Sequence, residues 1–420
     1  MVRGQNWTRP EWQVILQTSK FLTSPDVSML TTPDSRAASP HRPDSSQQSA
    51  PAELVVRQRS FAEIDDEFVS QWQQLETSSV DGNAFLSPHF VLPAVKHLTT
   101  AGTEPFLITV ESLDESRLLS LGIFEECRAS SLMPCPHLRS WQCEYAFLDG
   151  MLIDRNTATA AATHFFEWIA NRAQRWNGVS FDALPADSET TAILNEAATA
   201  AGANWFEDHS IERAAVRPAE LPDDPLTLCS KKPRQNFRRN LRRLGDHGAV
   251  DVEFVTNRDR IEDCTTTFLD LESAGWKGAS GSAMASQPAH AAFARELIAR
   301  FGDEQRAVFT LLNVDDRPIG VSLKLLAGTT LFAFKLGWAP EFSKHSPGAV
   351  TVGEVMRQVR DVLPQVSEVD SCSKPGSDIE SLWPHRRRLV SGVFASTPAA
   401  RLATGALTRI KQLKRQIQGL

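Results

Sequence analysis

The sequence predicts a mixed α/β protein, a mixed central sheet flanked by helices, built as two halves of comparable size. Three observations carry that prediction. Short runs rich in Val, Ile, Leu and Phe alternate with longer stretches of helical periodicity on both sides of a Pro-rich link at 218–225. Residues 319–337 read as two apolar strands closed by Gly328-Thr329, a hairpin. The 420 residues are 41% hydrophobic and 23% charged, which is ordinary for a soluble globular chain of two to three domains and excludes collagen-like, wholly disordered and disulfide-scaffold classes.

Taken in order, residues 21–52 hold five prolines and seven serines, too little apolar surface to offset ordering entropy, so 1–52 is expected to be a flexible tail. From Glu53 the pattern predicts strands at 54–56, 106–110, 118–124, 145–153 and 179–181. Helices are expected at 64–75, 157–176 and 188–201, and 205–216 leads out of the first half, 53–216. The second half, 217–397, opens with a basic helix at 231–244. Strands follow at 250–255, 307–313, 319–326, 330–337 and 366–372, with helices at 261–274, 288–301 and 349–363 and a glycine-rich loop at 275–281. A basic amphipathic helix from 398 ends the chain, 398–420. The similar order of the halves implies duplication, although no residue-level repeat accompanies it.

The six cysteines contain no C-x-x-C and no metal-finger spacing with histidine, so no metal and a reduced, cytoplasmic home are expected. No secretory signal is expected; residues 1–20 carry one acid, Glu11, which leaves a transit peptide open. No run approaches the roughly 18 apolar residues of a membrane span.

With Gly328-Thr329 as a two-residue turn, Ser322 pairs with Lys335 and Lys324 with Ala333, so both lysines share one face. That face is either the solvated side of an antiparallel sheet or a positive floor beneath a phosphate or carboxylate. Ser346-Pro347-Gly348 then leads into the next helix. It is either a plain N-cap with Pro at the first position or a loop whose free N–H groups, with those of Ala349, hold a phosphate. Trp276 and Lys277 follow Gly275, as a helix stop or as cleft residues. Asp370-Ser371 closes the last strand, as a turn or as part of a site. The helix at 231–244 carries seven cations and no acid, a solvated face or a seat for a nucleic acid, an anionic lipid surface or a phosphorylated substrate; the net charge, 44 − 51 = −7, speaks against a general nucleic-acid binder. The last helix is also free of acids, with an apolar stripe at Leu402, Ala406, Ile410, Leu413 and Ile417 that packs on the domain or rests on a membrane surface.

Together, L-E-S-A-G-W-K-G at 271–278, F-K-L-G-W at 334–338, E-F-S-K-H-S-P-G at 341–348, D-S at 370–371 and L-W-P-H-R at 382–386 resemble the CelD-like family. These are GNAT-superfamily acetyltransferases associated with cellulose and exopolysaccharide synthesis and distantly akin to FemAB-type aminoacyl transferases. The resemblance covers about 230–390. It implies tandem GNAT-like acyl-CoA N-acyltransferase folds, the first half degenerate, and transfer from acetyl-CoA or another acyl-CoA to an amine or hydroxyl of a small-molecule, glycan or cell-envelope acceptor. Lys335, Ser346, Gly348 and Ala349 would then hold the donor, and Trp276, Lys277, Ser371, Trp383 and Arg386 would line the acceptor side. Glu272 or Asp370 would act as base, N–H groups of the 334–337 strand as oxyanion donors and His345 as acid or water organiser. Two departures stand out: Gly337-Trp338-Ala339 replaces the usual G-Y-D, and His345 replaces the usual Tyr before S-P-G. Tyr145 is the only tyrosine, so the second half supplies no tyrosine acid. The alternatives are FemAB-like transfer from charged tRNA and a non-catalytic module recruited by its basic helices to an anionic polymer or to the inner membrane's surface.

Overall fold

The structure is a computed structural model, described over residues 53–99, 104–114 and 116–418; the expected tail at 1–52 lies outside them. The described residues up to Thr408 form one unit. The strands are β1 Leu54–Ser60, β2 Phe106–Ser112, β3 Arg117–Cys127, β4 His137–Ser140, β5 Leu152–Ile153, β6 Gly178–Pro185, β7 Asn204–Val216, β8 Val250–Val255, β9 Ala307–Val314, β10 Arg317–Ala327, β11 Thr330–Trp338, β12 Glu368–Asp370 and β13 His385–Ala395. The helices are α1 Asp66–Ser78, α2 Pro88–Leu98, α3 Ala158–Ala170, α4 Glu189–Ala200, α5 Lys231–Gly245, α6 Ile261–Ala274, α7 Trp276–Ala279, α8 Pro288–Asp303, α9 Pro347–Val362 and α10 Pro398–Gln418.

All thirteen strands belong to one mixed sheet, ordered β1-β2-β3-β4-β6-β13-β7-β12-β11-β10-β9-β8 with β5 on β3. One face carries a continuous core that joins Trp72, Phe85 and Phe90 of the first half to Phe293, Phe309 and Phe334 of the second. The other face has two cores. One packs Phe165, Phe166 and Ile169 of α3 on the first half's strands, and the other packs Val350, Val355, Met356 and Val359 of α9 with Phe237 of α5 on the second's. The amphipathic stripes of α3 and α9 follow from their apolar residues at helical spacing.

Several expectations need correction. β13 was missed because it opens with His385-Arg386-Arg387-Arg388, which breaks the apolar alternation. It pairs with β6 and β7 of the first half, and His385, Arg387 and Arg388 find carboxylates on Glu220, on Glu368 with Asp370, and on Glu207. Only Leu152–Ile153 of the expected strand at 145–153 forms, and 205–216 is itself a strand rather than an exit. β4 and α2 were not anticipated, and the loop at 275–281 contains the short helix α7. Among the described residues no helix is long and apolar enough to cross a membrane.

Candidate functional site

The site grows from the hairpin β10–β11. Its turn holds as expected, with Ala327 opposite Thr330 and Lys324 opposite Ala333. A bulge then sets Leu323, not Ser322, opposite Lys335. One extra residue flips every later side chain across the sheet, so the two lysines leave their shared face. Neither is solvated floor. Lys324 is fully buried on the α9 side. It donates to Thr310 Oγ1 at 2.7 Å and to the Ser322 carbonyl at 3.1 Å, and burial pushes its ammonium down to about 7. Lys335 sits on the opposite face, half-buried, with Nζ 4.5 Å from the Tyr145 ring centroid and 5.9 Å from those of Phe147 and Phe334. This separates Lys335 from the loop at Ser346, with which the sequence grouped it.

β11 pairs in parallel with β12 only from Thr330–Glu368 to Phe332–Asp370, then runs on to Trp338. Residues 333–338 therefore have no strand on that edge among the described residues, which opens a cleft between the two strands. Its wall on the α6 side is built by close backbone approach: a Cβ on Gly337 would lie 2.6 Å from the Glu272 nitrogen. Glu272, buried, accepts the Met284 N–H at 2.9 Å and lies 3.5 Å from Lys277 Nζ, which also donates to the Leu336 carbonyl at 2.9 Å. Leu271, Gly275 and Trp338 complete this pocket. The side chain of Trp276 is not among the described features.

At the far end of β11, Gly348 packs against Trp338 and Leu336, so close that a Cβ there would lie 3.1 Å and 3.2 Å from their side chains. Ser346 is the N-cap of α9 in the left-handed conformation (φ 49°) and makes no side-chain cap. The Val350 N–H reaches the Ser346 carbonyl, which leaves the N–H groups of Gly348 and Ala349 without an intrahelical partner. The plain-cap alternative is thereby weakened. An uncapped, acid-free first turn of a sixteen-residue helix is suited to an anion. His345 Nε2 lies 3.2 Å from His247 Nε2, and its Nδ1 is buried without a partner. This places His345 just before the N-terminus of α9, beside the end of α5. Of the seven cations of α5 only Arg238 forms an ion pair, with Asp224, among the described residues.

Asp370 is engaged elsewhere. It is fully buried, accepts from Arg213 of β7, from Arg387 of β13 at 3.0 Å and from the Cys372 N–H at 3.0 Å. Burial alone would raise its carboxyl, but the two guanidinium groups outweigh that and hold it below the ordinary 3.8. Such a carboxylate ties three strands together and has no free geometry for a proton. Ser371 bonds Ser373, and Trp383 is a core residue donating to the Val352 carbonyl. Arg386 donates to the carbonyls of Glu380, Trp383 and His385. These three brace the loops behind β12 and α9 and are not drawn into the cleft around Glu272.

The first half enters through Tyr145, which sequence reasoning had set aside. Its ring stacks on Phe293, its Oη lies 2.7 Å from His290 Nδ1, and burial raises its phenol, so it stays protonated. Its being the only tyrosine was the one signal available. Among the described residues no group of three or more His, Cys, Asp or Glu could hold a metal ion.

Residues 231–372, about a third of the chain, match a family described as an acetyltransferase (GNAT) domain. That segment spans α5 to the end of β12 and so contains the cleft, Glu272, Lys335 and the α9 N-terminus. That segment is therefore similar to a GNAT acetyltransferase domain, and it sits on a mixed α/β scaffold. Among solved structures, FemX shares 12% identity over 84% of this chain and 100% of its own, with a TM-score of 0.51. The C-terminal domain of a putative lysylphosphatidylglycerol synthetase from Agrobacterium fabrum shares 11% over 81% and 94%, TM-score 0.48. A tandem GNAT protein from the clavulanic acid biosynthesis pathway shares 15% over 82% and 99%, TM-score 0.38. The likeness to FemX is one of fold. No curated protein sequence matches the chain.

Proposed function

We propose that this protein moves an acyl group from acyl-CoA to an amine or hydroxyl acceptor. The observation that carries the reading is the opening between β11 and β12 beside an uncapped α9 N-terminus, a slot for a thioester next to a seat for its phosphates. In this reading the N–H groups of Gly348 and Ala349 bind the donor's pyrophosphate, with His345 close by. N–H groups of β11 at the bulge face the thioester oxygen as charge develops on it. Glu272, already at the cleft wall and paired with Lys277, takes the acceptor's proton, directly or through one water. The acceptor nitrogen or oxygen bonds to the carbonyl carbon, the C–S bond breaks, and the thiolate is protonated from solvent or by His345. The acceptor belongs to polysaccharide or cell-envelope synthesis on the strength of the CelD-like motifs, and the protein works in the cytoplasm or at the inner membrane's surface.

Calorimetric titration of acetyl-CoA into the full chain tests this. The full chain is needed because β13 and the shared core join the halves. Binding is expected in the micromolar range. Ala349→Pro removes one N–H at a first-turn position that tolerates proline and is expected to weaken binding about 10- to 100-fold, the worth of one hydrogen bond to a charged group. Unchanged affinity in the variant would move the phosphates elsewhere. Gly337→Val should push the α6 backbone away from β11 and lower kcat/KM by about 100-fold, as expected for a misplacement near 1 Å; steady-state thiol release measures it.

Transfer from charged tRNA is a second reading, favoured by the uncovered cations of α5 beside α9. It predicts tRNA binding that falls steeply with salt, in place of acyl-CoA binding.

A further inference from the structure

Lys335 stands out among the cations of the second half. Lys277 is satisfied by Glu272 and the Leu336 carbonyl, and Lys324 by Thr310 and Ser322. Lys335, among the described residues, has no hydrogen bond and no ion pair; its Nζ is held over the faces of Tyr145, Phe147 and Phe334. It lies on the bulged stretch of β11, three residues past the last pair with β12, where the cleft opens. Charged and titratable groups face it from each element around it: Glu272 of α6, Lys277 of α7, Glu144 and Tyr145 from the first half, and Cys372 after β12. His290 of α8 is one step removed, hydrogen-bonded to the Tyr145 hydroxyl. None of the carboxylates comes within ion-pair distance of Nζ.

We infer that Lys335 is a self-acylation site: the protein transfers the acyl group of its own bound thioester to Lys335 Nζ. The inference rests on the acyl-CoA reading above, which puts the thioester in the β11–β12 opening. The ammonium first loses a proton to solvent. The neutral nitrogen then attacks the thioester carbonyl carbon, the N–C bond forms and the C–S bond breaks. The proton lost from that nitrogen goes to the departing thiolate, giving an N-acyl lysine and free CoA thiol. No carboxylate bonds the nitrogen, and the pull of the ring faces on the ammonium is outweighed by the burial of the group. Burial, the largest influence, with Lys277 adding to it, brings the group down to about 8 against the opposing pull of Glu272 and Glu144. Acylation removes a cation that has no ion pair among the described residues and fills the space between the rings, so the modified protein is expected to turn over more slowly.

The test incubates the full chain with acetyl-CoA and reads intact mass and tryptic peptides, beside calorimetry on the same sample. The expected result is a gain of one acetyl group, mapped to Lys335, at a rate that rises with pH and levels off near 8. An exposed lysine, titrating near 10.4, would keep accelerating beyond that. Lys335→Arg, which keeps the cation over the rings, should gain nothing at this peptide, while the parent titrated beside it reports donor binding. Calorimetric binding with no acetyl group on Lys335, or labelling spread over exposed lysines alone, overturns this inference and leaves the donor reading intact. No binding and no labelling overturns both.

Discussion

Replacing Asp370 by Ala is expected to lower the free energy of unfolding by about 3–5 kcal/mol, the cost of breaking a buried ion pair by removing one partner. The carboxylate is fully buried, and Arg213 and Arg387 converge on it from β7 and β13, while Glu368 adds a 3.3 Å contact to Arg387. Without Asp370 the guanidinium of Arg213, itself only 4% exposed, keeps the Phe147 carbonyl at 2.7 Å but loses its counter-charge. Urea denaturation followed by intrinsic tryptophan fluorescence measures the loss. The pH dependence has a definite sign. A carboxyl held below 3.8 in the folded protein contributes its full stabilisation above that value and loses it as pH falls through the lower, folded one. An Asp370→Ala protein of unchanged stability and abolished turnover would instead return Asp370 to the role of base.

Lys324→Met is expected to act in the opposite direction, raising stability at pH 7 by about 2–4 kcal/mol. Burial brings the ammonium from 10.5 to about 7 with no carboxylate bonded to it, a fall equivalent to roughly 5 kcal/mol at the most. The variant gives back part of that, because Thr310 Oγ1 and the Ser322 carbonyl lose their donor. Between about 7 and 10.5 the unfolded chain binds more protons at this position than the folded one, so the parent gains stability as pH rises through that window. The advantage of the methionine variant should accordingly shrink between pH 7 and pH 10, which denaturation at the two values reads directly. A methionine variant less stable than its parent at pH 7 would mean that the lysine's two hydrogen bonds outweigh its desolvation.

Much of the scaffold was legible because its signals are local. The stripes of α6 and α9 repeat at helical spacing, Gly328-Thr329 closes its hairpin by turn chemistry, and Ser346-Pro347-Gly348 marks a helix start whatever surrounds it. The candidate donor end of the site lies within one such local run, which is why it could be read at all. β13 escaped because a strand that opens with one histidine and three arginines has no apolar alternation. Arg387 and Arg388 are neutralised by Glu368 and Asp370 and by Glu207, which lie on other strands.

The sequence by itself determined the class of fold, the order of most elements in the second half and the polar turn that starts α9, since each is set by periodicity or by backbone preferences of a few neighbouring residues. Only the tertiary structure decided the rest. The bulge that parts Lys324 from Lys335, the arginine pair that occupies Asp370 and the arrival of Tyr145 from the first half all depend on how strands register and which distant charges meet. Those outcomes are fixed by packing and desolvation across the sheet, quantities that no short window of sequence contains.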